Sequence, residues 1–285
     1  MQYDIYYLNS AGEKLDLCSW PYMIYGGDIL DYDWSYESTS NYGKAGGKIK
    51  SFTKGVEKKS LNVTIAGQSE ILYRKAVDAL ADAVEYDVTN LTPGKLYVNG
   101  SYIECYVKGI KPDDWVCSCD FMDVELILSV EYPFWLYSKE HIFYKTDQIS
   151  KNNKVYAHRY PWRYPNGQTQ GTVYQTFIKP CDFILALNGP AINPSVDIGD
   201  KTYGVIGNID ESEYVVIDTR LGYVRKYLNN TEKSVYQNMY DSRTRDNDIY
   251  EKLPRGTLHI TWTGEFSFSL NLIEERSLPR WNLQR

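Results

Sequence analysis

The chain reads as a mainly β protein built from two successive modules. Three observations predict this. Tyrosine is over-used, at 27 of 285 residues, and aromatic rings favour the half-dry surfaces of strands. Short apolar runs alternate in period two between Gly, Pro and Asn punctuation. A single long segment, beginning near Ser69, carries helical spacing instead.

Hydrophobic content of 43% is that of a folded globular protein. The formal charge of −6 argues against a general nucleic-acid binder, which needs a basic face for phosphates. Met1-Gln2-Tyr3-Asp4 lacks the basic start and apolar run of a signal peptide, and no segment is apolar for long enough to cross a bilayer. Folding in a cytoplasm is expected, with any later exit non-secretory. The cysteines number 5, an odd count, and read as free thiols. Cys117 and Cys119 share one face of a strand and read as small core residues, with no metal site expected.

The first strand places Tyr3, Ile5 and Tyr7 on one face, then turns at Asn9-Ser10-Ala11-Gly12. Leu15 and Leu17 resume the pattern before Gly26-Gly27. From Ser35 to Lys59 the character changes to Ser, Asn, Gly and Lys, with Lys44, Lys48, Lys50, Lys54, Lys58 and Lys59 outnumbering the acids. This segment is an exposed arm or hairpin. Two readings stand for it: an arm that reaches a neighbouring subunit, or a solvated loop whose lysines prevent edge pairing. Leu61, Val63 and Ile65 follow as a strand.

Ser69 is the N-cap of the helix, and Leu72, Ala76, Ala79/Leu80 and Ala83 form its apolar stripe. Glu70 suits the start, and Asp87 with Pro93-Gly94 marks the end. Lys95 to Val98 leads into Asn99-Gly100, the pair preferred for a two-residue hairpin turn. The returning strand sets Tyr102, Glu104 and Tyr106 against Ile103, Cys105 and Val107 on opposite faces. A long strand from Trp115 to Glu131 ends at Tyr132-Pro133-Phe134-Trp135.

A module boundary falls near Ser138, giving modules at 1–138 and 139–285. Periodicity is weak from Lys145 to Lys179. Strands are then expected at Phe183–Leu187, Ser195–Ile198, Gly204–Ile206, Tyr214–Thr219, Tyr223–Leu228, Thr257–Trp262 and Phe266–Ile273. Short strands at that spacing indicate a β-sandwich.

No catalytic constellation emerges. His141, His158 and His259 sit in no zinc or nucleophile pattern. Asp120, Asp123 and Glu125, or Asp218 with Glu251, are carboxylate groupings of the kind a glycosidase uses, but spacing does not set them across a cleft. The run from His158 to Tyr164, with Trp162, Arg163 and Tyr164, is either a sugar-stacking cluster or a packed linker.

Taken together, the motifs resemble the distal tail protein (Dit) family of long, non-contractile-tailed phages, including prophage versions. The resemblance rests on Lys95-Leu96-Tyr97-Val98-Asn99-Gly100 and Tyr132-Pro133-Phe134-Trp135 in the first module. In the second it rests on Gly189-Pro190 with Asn193-Pro194, Val216-Ile217-Asp218-Thr219, Leu253-Pro254-Arg255-Gly256 and the terminal Glu274-Glu275-Arg276-Ser277-Leu278-Pro279-Arg280-Trp281. It implies an N-terminal β-sandwich with one helix and a long belt hairpin, then a C-terminal galectin-like β-sandwich. The belt would be the Ser35–Lys59 arm, with Tyr42, Lys44, Lys48, Lys50 and Phe52 as subunit contacts. The implied role is a tail-tip or baseplate hub of the virion: a homohexameric ring between the tail tube protein and the tail-associated fibre or lysin protein. Receptor-binding proteins dock on the outer module in some phages, and Trp162, Arg163 and Tyr164 are contact candidates for a partner or sugar. No enzyme activity, cofactor, membrane insertion or sequence-specific nucleic-acid binding is implied. The alternative role is a carbohydrate-binding sandwich that adheres to host wall polysaccharide.

Overall fold

The structure is a computed structural model, and it describes residues 3–40, 42–43, 45–113, 120–146, 169–228, 235–245 and 248–281. Its contacts divide the chain into two compact units. Unit 1 is Met1–Tyr137 with Glu275–Arg285, and unit 2 is Ser138–Glu274.

In unit 1 the strands are β1 (Ile5–Leu8), β2 (Lys14–Asp16), β3 (Tyr22–Gly27), β4 (Ser35–Thr39), β5 (Lys48–Thr53), β6 (Glu57–Ala66), β7 (Gly94–Val98), β8 (Ser101–Pro112) and β9 (Phe121–Val130), with α1 at Glu70–Thr89. β8 serves two sheets. Ser101 to Cys105 pair with β7, which pairs with β1. Tyr106 to Pro112 pair with β9, which pairs with β6 and, through it, β3. The switch coincides with a register shift between Val107 and Gly109, the bend a bulge supplies. Apolar residues from both sheets meet between them: Leu96, Val98, Ile103 and Cys105 from one, Leu61, Val63, Val124 and Leu128 from the other. The result is a sandwich.

The hairpin signal is realised as expected. Asn99 and Gly100 take φ of 49° and 77°, and Val98 pairs with Ser101 across the two-residue turn. Along β8 the inward residues Ile103, Cys105 and Val107 are buried, while Tyr102, Glu104 and Tyr106 are half-buried.

The helix closes the first sandwich. Ser69 Oγ accepts the Leu72 N–H at 3.4 Å, and Glu70 pairs with Arg74 one turn later at 2.5 Å. Ala76, Leu80, Ala83 and Val84 are buried, and small alanines let the backbone come close: Tyr22 donates its hydroxyl to the Ala76 carbonyl at 2.7 Å. Leu72, expected in the stripe, is exposed. Asp87, expected only to mark the helix end, lies fully buried in the same stripe.

The chain passes into unit 2 within β10 (Trp135–Phe143). Unit 2 then holds β11 (Thr169–Gln175), β12 (Asp182–Asn188), β13 (Ala191–Ile192), β14 (Ser195–Ile198), β15 (Lys201–Gly204), β16 (Asn208–Ile209), β17 (Glu213–Asp218), β18 (Tyr223–Leu228), β19 (Gln237–Asn238), β20 (Gly256–Trp262) and all but the last two residues of β21 (Phe268–Arg276). One antiparallel sheet runs β19-β18-β17-β12-β21 and the other β11-β20-β14-β15. Phe183, Leu185 and Leu187 of β12, with Val215, Ile217 and Val224, are buried, as are Val196, Ile198, Leu258 and Ile260 of the second sheet. This is a second sandwich.

The expected strands fall close to the observed ones, with instructive differences. The strand expected at Gly204–Ile206 is instead β15, ending at Gly204 opposite Ser195; Val205 stays buried in a single bridge to Arg243, and Ile206 is exposed. β10 and β11 fall where no strand was expected. The terminal segment read as the close of the second module groups with unit 1 from Glu275 onward: the Arg280 N–H donates to Ser101 Oγ at 3.1 Å, and Trp281 meets Tyr3 edge-on at 5.7 Å. The fate of the Trp115–Glu131 strand before residue 120 lies outside the described residues, as do Cys117 and Cys119. Cys18, Cys105 and Cys181 are free thiols.

Candidate functional site

The Ser35–Lys59 segment is a hairpin with a built root. Among the described residues β4 and β5 pair only with each other, Tyr36 opposite Phe52 and Thr39 opposite Lys48. A register shift at Glu37/Ser38 leaves Lys50 as the extra residue of a bulge. Tyr36, Tyr42, Lys48, Ile49, Lys50 and Phe52 are all exposed. The hairpin ends before Glu57, where β6 begins, so Lys58 and Lys59 belong to the body. Lys59 is buried and pairs with Glu57 at 2.8 Å while donating to the Asp31 carbonyl.

The root is an aromatic cage. Lys54 Nζ lies 5.0 Å from the Tyr32 ring centroid, 5.1 Å from Trp34 and 5.0 Å from Phe134. It also donates to the Pro133 carbonyl at 3.2 Å. Burial pulls the Lys54 pKa down, partly offset by the charge of Glu57. The rings continue outward as a ladder: Tyr132 to Phe134 at 5.1 Å, Phe134 to Trp34 at 5.7 Å, Trp34 to Phe52 at 6.4 Å and Phe52 to Tyr36 at 6.3 Å. An open depression of about 470 Å³ lies beside this root, between Asp31–Asp33 and Lys54–Lys59. A cation held over three rings fixes where the arm leaves the body, and the last rings of the ladder, Phe52 and Tyr36, are exposed.

The sequence reading named Tyr42, Lys48, Lys50 and Phe52, which the structure sets on or at the tip of this one hairpin. Tyr32, Trp34, Lys54 and Phe134 were not among the expected contact residues. The signal for them is present: Tyr32, Trp34 and Tyr36 recur in period two, as do Phe52 and Lys54 on the return strand.

Four of the five acids weighed for hydrolysis, Asp123, Glu125, Asp218 and Glu251, are engaged separately. Asp123 accepts the Thr64 hydroxyl at 2.5 Å, and Glu125 pairs with Lys111 at 3.5 Å. Asp218 accepts the Leu221 N–H at 2.9 Å, and Glu251 pairs with Lys201. Burial raises the Asp218 pKa, with hydrogen bonds from backbone N–H groups opposing it. Burial lowers the His141 pKa, and Lys139 adds to that. Among the described residues no His, Cys, Asp and Glu gather in a metal-binding group, and no helix is long and apolar enough to cross a membrane.

No family model and no curated protein matches the chain. Solved structures do. The chain is similar to SPP1 Dit, described as a paradigm of hub adsorption apparatus in phages infecting Gram-positive hosts: 11% identity, 95% of this chain and 98% of that one covered, TM-score 0.56. It is similar to a chain of the phage P2 baseplate in its activated conformation with calcium, at 10% identity, coverage of 98% and 100%, and TM-score 0.66. The strontium form of that baseplate gives 9% identity, coverage of 97% and 99%, and TM-score 0.65.

The chain has the Dit fold.

The Dit likeness runs through both units, since the aligned length is nearly the whole chain on each side. Three residues expected to contact a partner or a sugar in this Dit-fold chain, Trp162, Arg163 and Tyr164, lie outside the described residues, as do Lys44 and His158.

Proposed function

We propose that this chain is a structural hub subunit of a phage tail tip or baseplate. Copies close head to tail into a homohexameric ring, each arm lying on the next subunit. The residues 1–138 module forms the ring and lines the channel. The residues 139–285 module, galectin-like in this reading, faces outward. The ring joins the tail tube protein to the tail-associated fibre or lysin protein and offers its outer module to a receptor-binding protein. The protein is made in the host cytoplasm and ends in the virion tail. The reading is one of assembly, not turnover.

The observation that carries this reading is the whole-chain likeness to Dit and baseplate chains at TM-scores of 0.56 to 0.66. The exposed, cage-rooted hairpin supports it independently, because an unpaired two-stranded ribbon gains stability only by packing on something. The test is to replace Ser35–Thr53 with a short Gly-Ser linker between Trp34 and Lys54. The expected product keeps the parent's circular dichroism and unfolding midpoint but forms no rings by electron microscopy and stays monomeric by light scattering. Rings that survive the replacement, or a full-length chain that never self-associates at any concentration, overturn the reading.

One surface favours the second reading, carbohydrate binding. Arg225 lies between Tyr223 and Tyr236, at 4.1 Å and 4.0 Å from their centroids, beside the stacked pair Tyr214 and Tyr227 at 5.3 Å. Flat rings with an intervening guanidinium suit the CH face and hydroxyls of a sugar. Calorimetry with host wall polysaccharide tests it, and the absence of heat at millimolar ligand removes it.

A further inference from the structure

The outward face of the β3–β6–β9 ribbon presents side chains with no role so far. Met23, Tyr25 and Phe121 are exposed. Met23 stands opposite Thr64, Thr64 opposite Asp123, and Phe121 opposite Ala66 at the end of the ribbon. Trp20, also exposed, precedes Pro21, whose carbonyl accepts the Ala66 N–H at 2.9 Å, so a further ring sits at the same end. Acids interleave with these apolar groups. Asp113 is tied to this end, its N–H donating to the Asp123 carbonyl at 2.9 Å. Burial, then the fields of Asp123 and Asp113, push the Tyr25 hydroxyl up from its ordinary value.

This apolar and acidic patch complements the arm. The arm exposes Lys48 and Lys50 together with Ile49 and Phe52. The two surfaces also stand at opposite ends of one ribbon. The arm root adjoins the Glu57↔Val130 pair, and the patch adjoins the Ala66↔Phe121 pair. β6 has 10 residues between those ends, a span of about 30 Å at the usual rise. A donor at one end of a stiff element and an acceptor at the other make a heterologous contact, which repeats head to tail.

We propose that the patch formed by Met23, Tyr25, Phe121, Asp113 and Asp123 is the seat for the arm of a second copy of this chain. Apolar contacts from Ile49 and Phe52 supply the affinity, and Lys48 and Lys50 against Asp113 and Asp123 set the register. The inference rests on the arm reading proposed above and adds where the arm lands.

The test uses the full chain with a photo-crosslinking amino acid in place of Ile49, mixed with an isotope-labelled unmodified copy. The expected adducts join position 49 of one copy to residues 20–25 or 120–125 of the other. In parallel, Asp113→Lys is expected to weaken self-association about tenfold, as is Lys48→Glu, and the two changes combined on one chain are expected to restore most of it. Adducts on a second copy that map elsewhere, or no restoration in the double variant, overturn the seat and leave the arm reading standing. An absence of intermolecular adducts together with unchanged association after replacement of Ser35–Thr53 overturns both.

Discussion

The Tyr7 hydroxyl donates to the Asp87 carboxylate across 2.5 Å, tying the first strand to the last turn of the helix. The other carboxylate oxygen accepts both the N–H and the hydroxyl of Ser10, at 2.7 and 2.6 Å. A buried carboxylate with three donors is stabilising only while the set is complete. Tyr7→Phe removes one donor and is expected to cost about 1–3 kcal/mol in urea unfolding.

The same pair has a pH signature. Burial and then the bond to Asp87 push the Tyr7 pKa up from its ordinary value. A folded pKa above the unfolded value, about 10 for tyrosine, stabilises below that pH and loses the contribution as pH rises through and beyond it. Stability of the parent is expected to fall steeply above about pH 10, and that of Tyr7→Phe less steeply. An equally steep fall of urea-unfolding stability with pH in the parent and in Tyr7→Phe would show that Tyr7 does not carry the effect.

Gly94 is fixed by this arrangement. A Cβ there would run into the Tyr7 hydroxyl and the Asp87 carboxylate. Gly94→Ala is expected to destabilise by about 3 kcal/mol, in the range of overpacked cores. Because Tyr7→Phe removes one clashing atom, the double variant is expected to lose less than the sum of the singles, a coupling that a thermodynamic cycle reads directly.

Lys54→Met keeps the stem within the Tyr32, Trp34 and Phe134 cage but removes the cation. The expected cost is about 0.5–2 kcal/mol, felt at the arm root. Hydrogen exchange should therefore quicken in residues 34–54 while β6 and β9 keep their protection. Equal loosening across the unit would assign Lys54 to the core instead.

In unit 2, Thr219 Oγ1 accepts the Phe183 N–H at 2.9 Å and donates to the Phe183 carbonyl at 3.0 Å. Thr219→Val keeps the shape and orphans a buried N–H. Thermal unfolding is expected to shift by the equivalent of about 1–3 kcal/mol. A shift within error would mean that water or relaxed backbone satisfies Phe183.

Much of this was legible because the inward residues are local pattern. Phe183, Leu185 and Leu187 announce β12 by alternation, and Asn99-Gly100 announces its turn by the φ it needs. β11 was not legible, because its Thr169–Thr172 half is polar and Gly171 looks like a break. Gly171 is there to admit a ring: a Cβ would stand 2.6 Å from Phe143 Cε1. Asp87 hid in the same way. It continues the Ala76, Leu80, Val84 stripe at helical spacing, and an acid there signals a buried partner that only the folded chain supplies. The cage escaped for reach, since Phe134 comes to Lys54 from far along the chain.

The return of Glu275–Arg285 to unit 1 sets an order of events during synthesis. A ribosome making this chain releases all of unit 2 before it supplies the segment that lays Arg280 against Ser101 and Trp281 against Tyr3. The first unit begun is thus the last one finished. Chains that stall or lose residues beyond 274 carry an incomplete first unit alongside a second unit with its full sequence, so protease sensitivity of the first sandwich is the assay that separates whole subunits from unfinished ones.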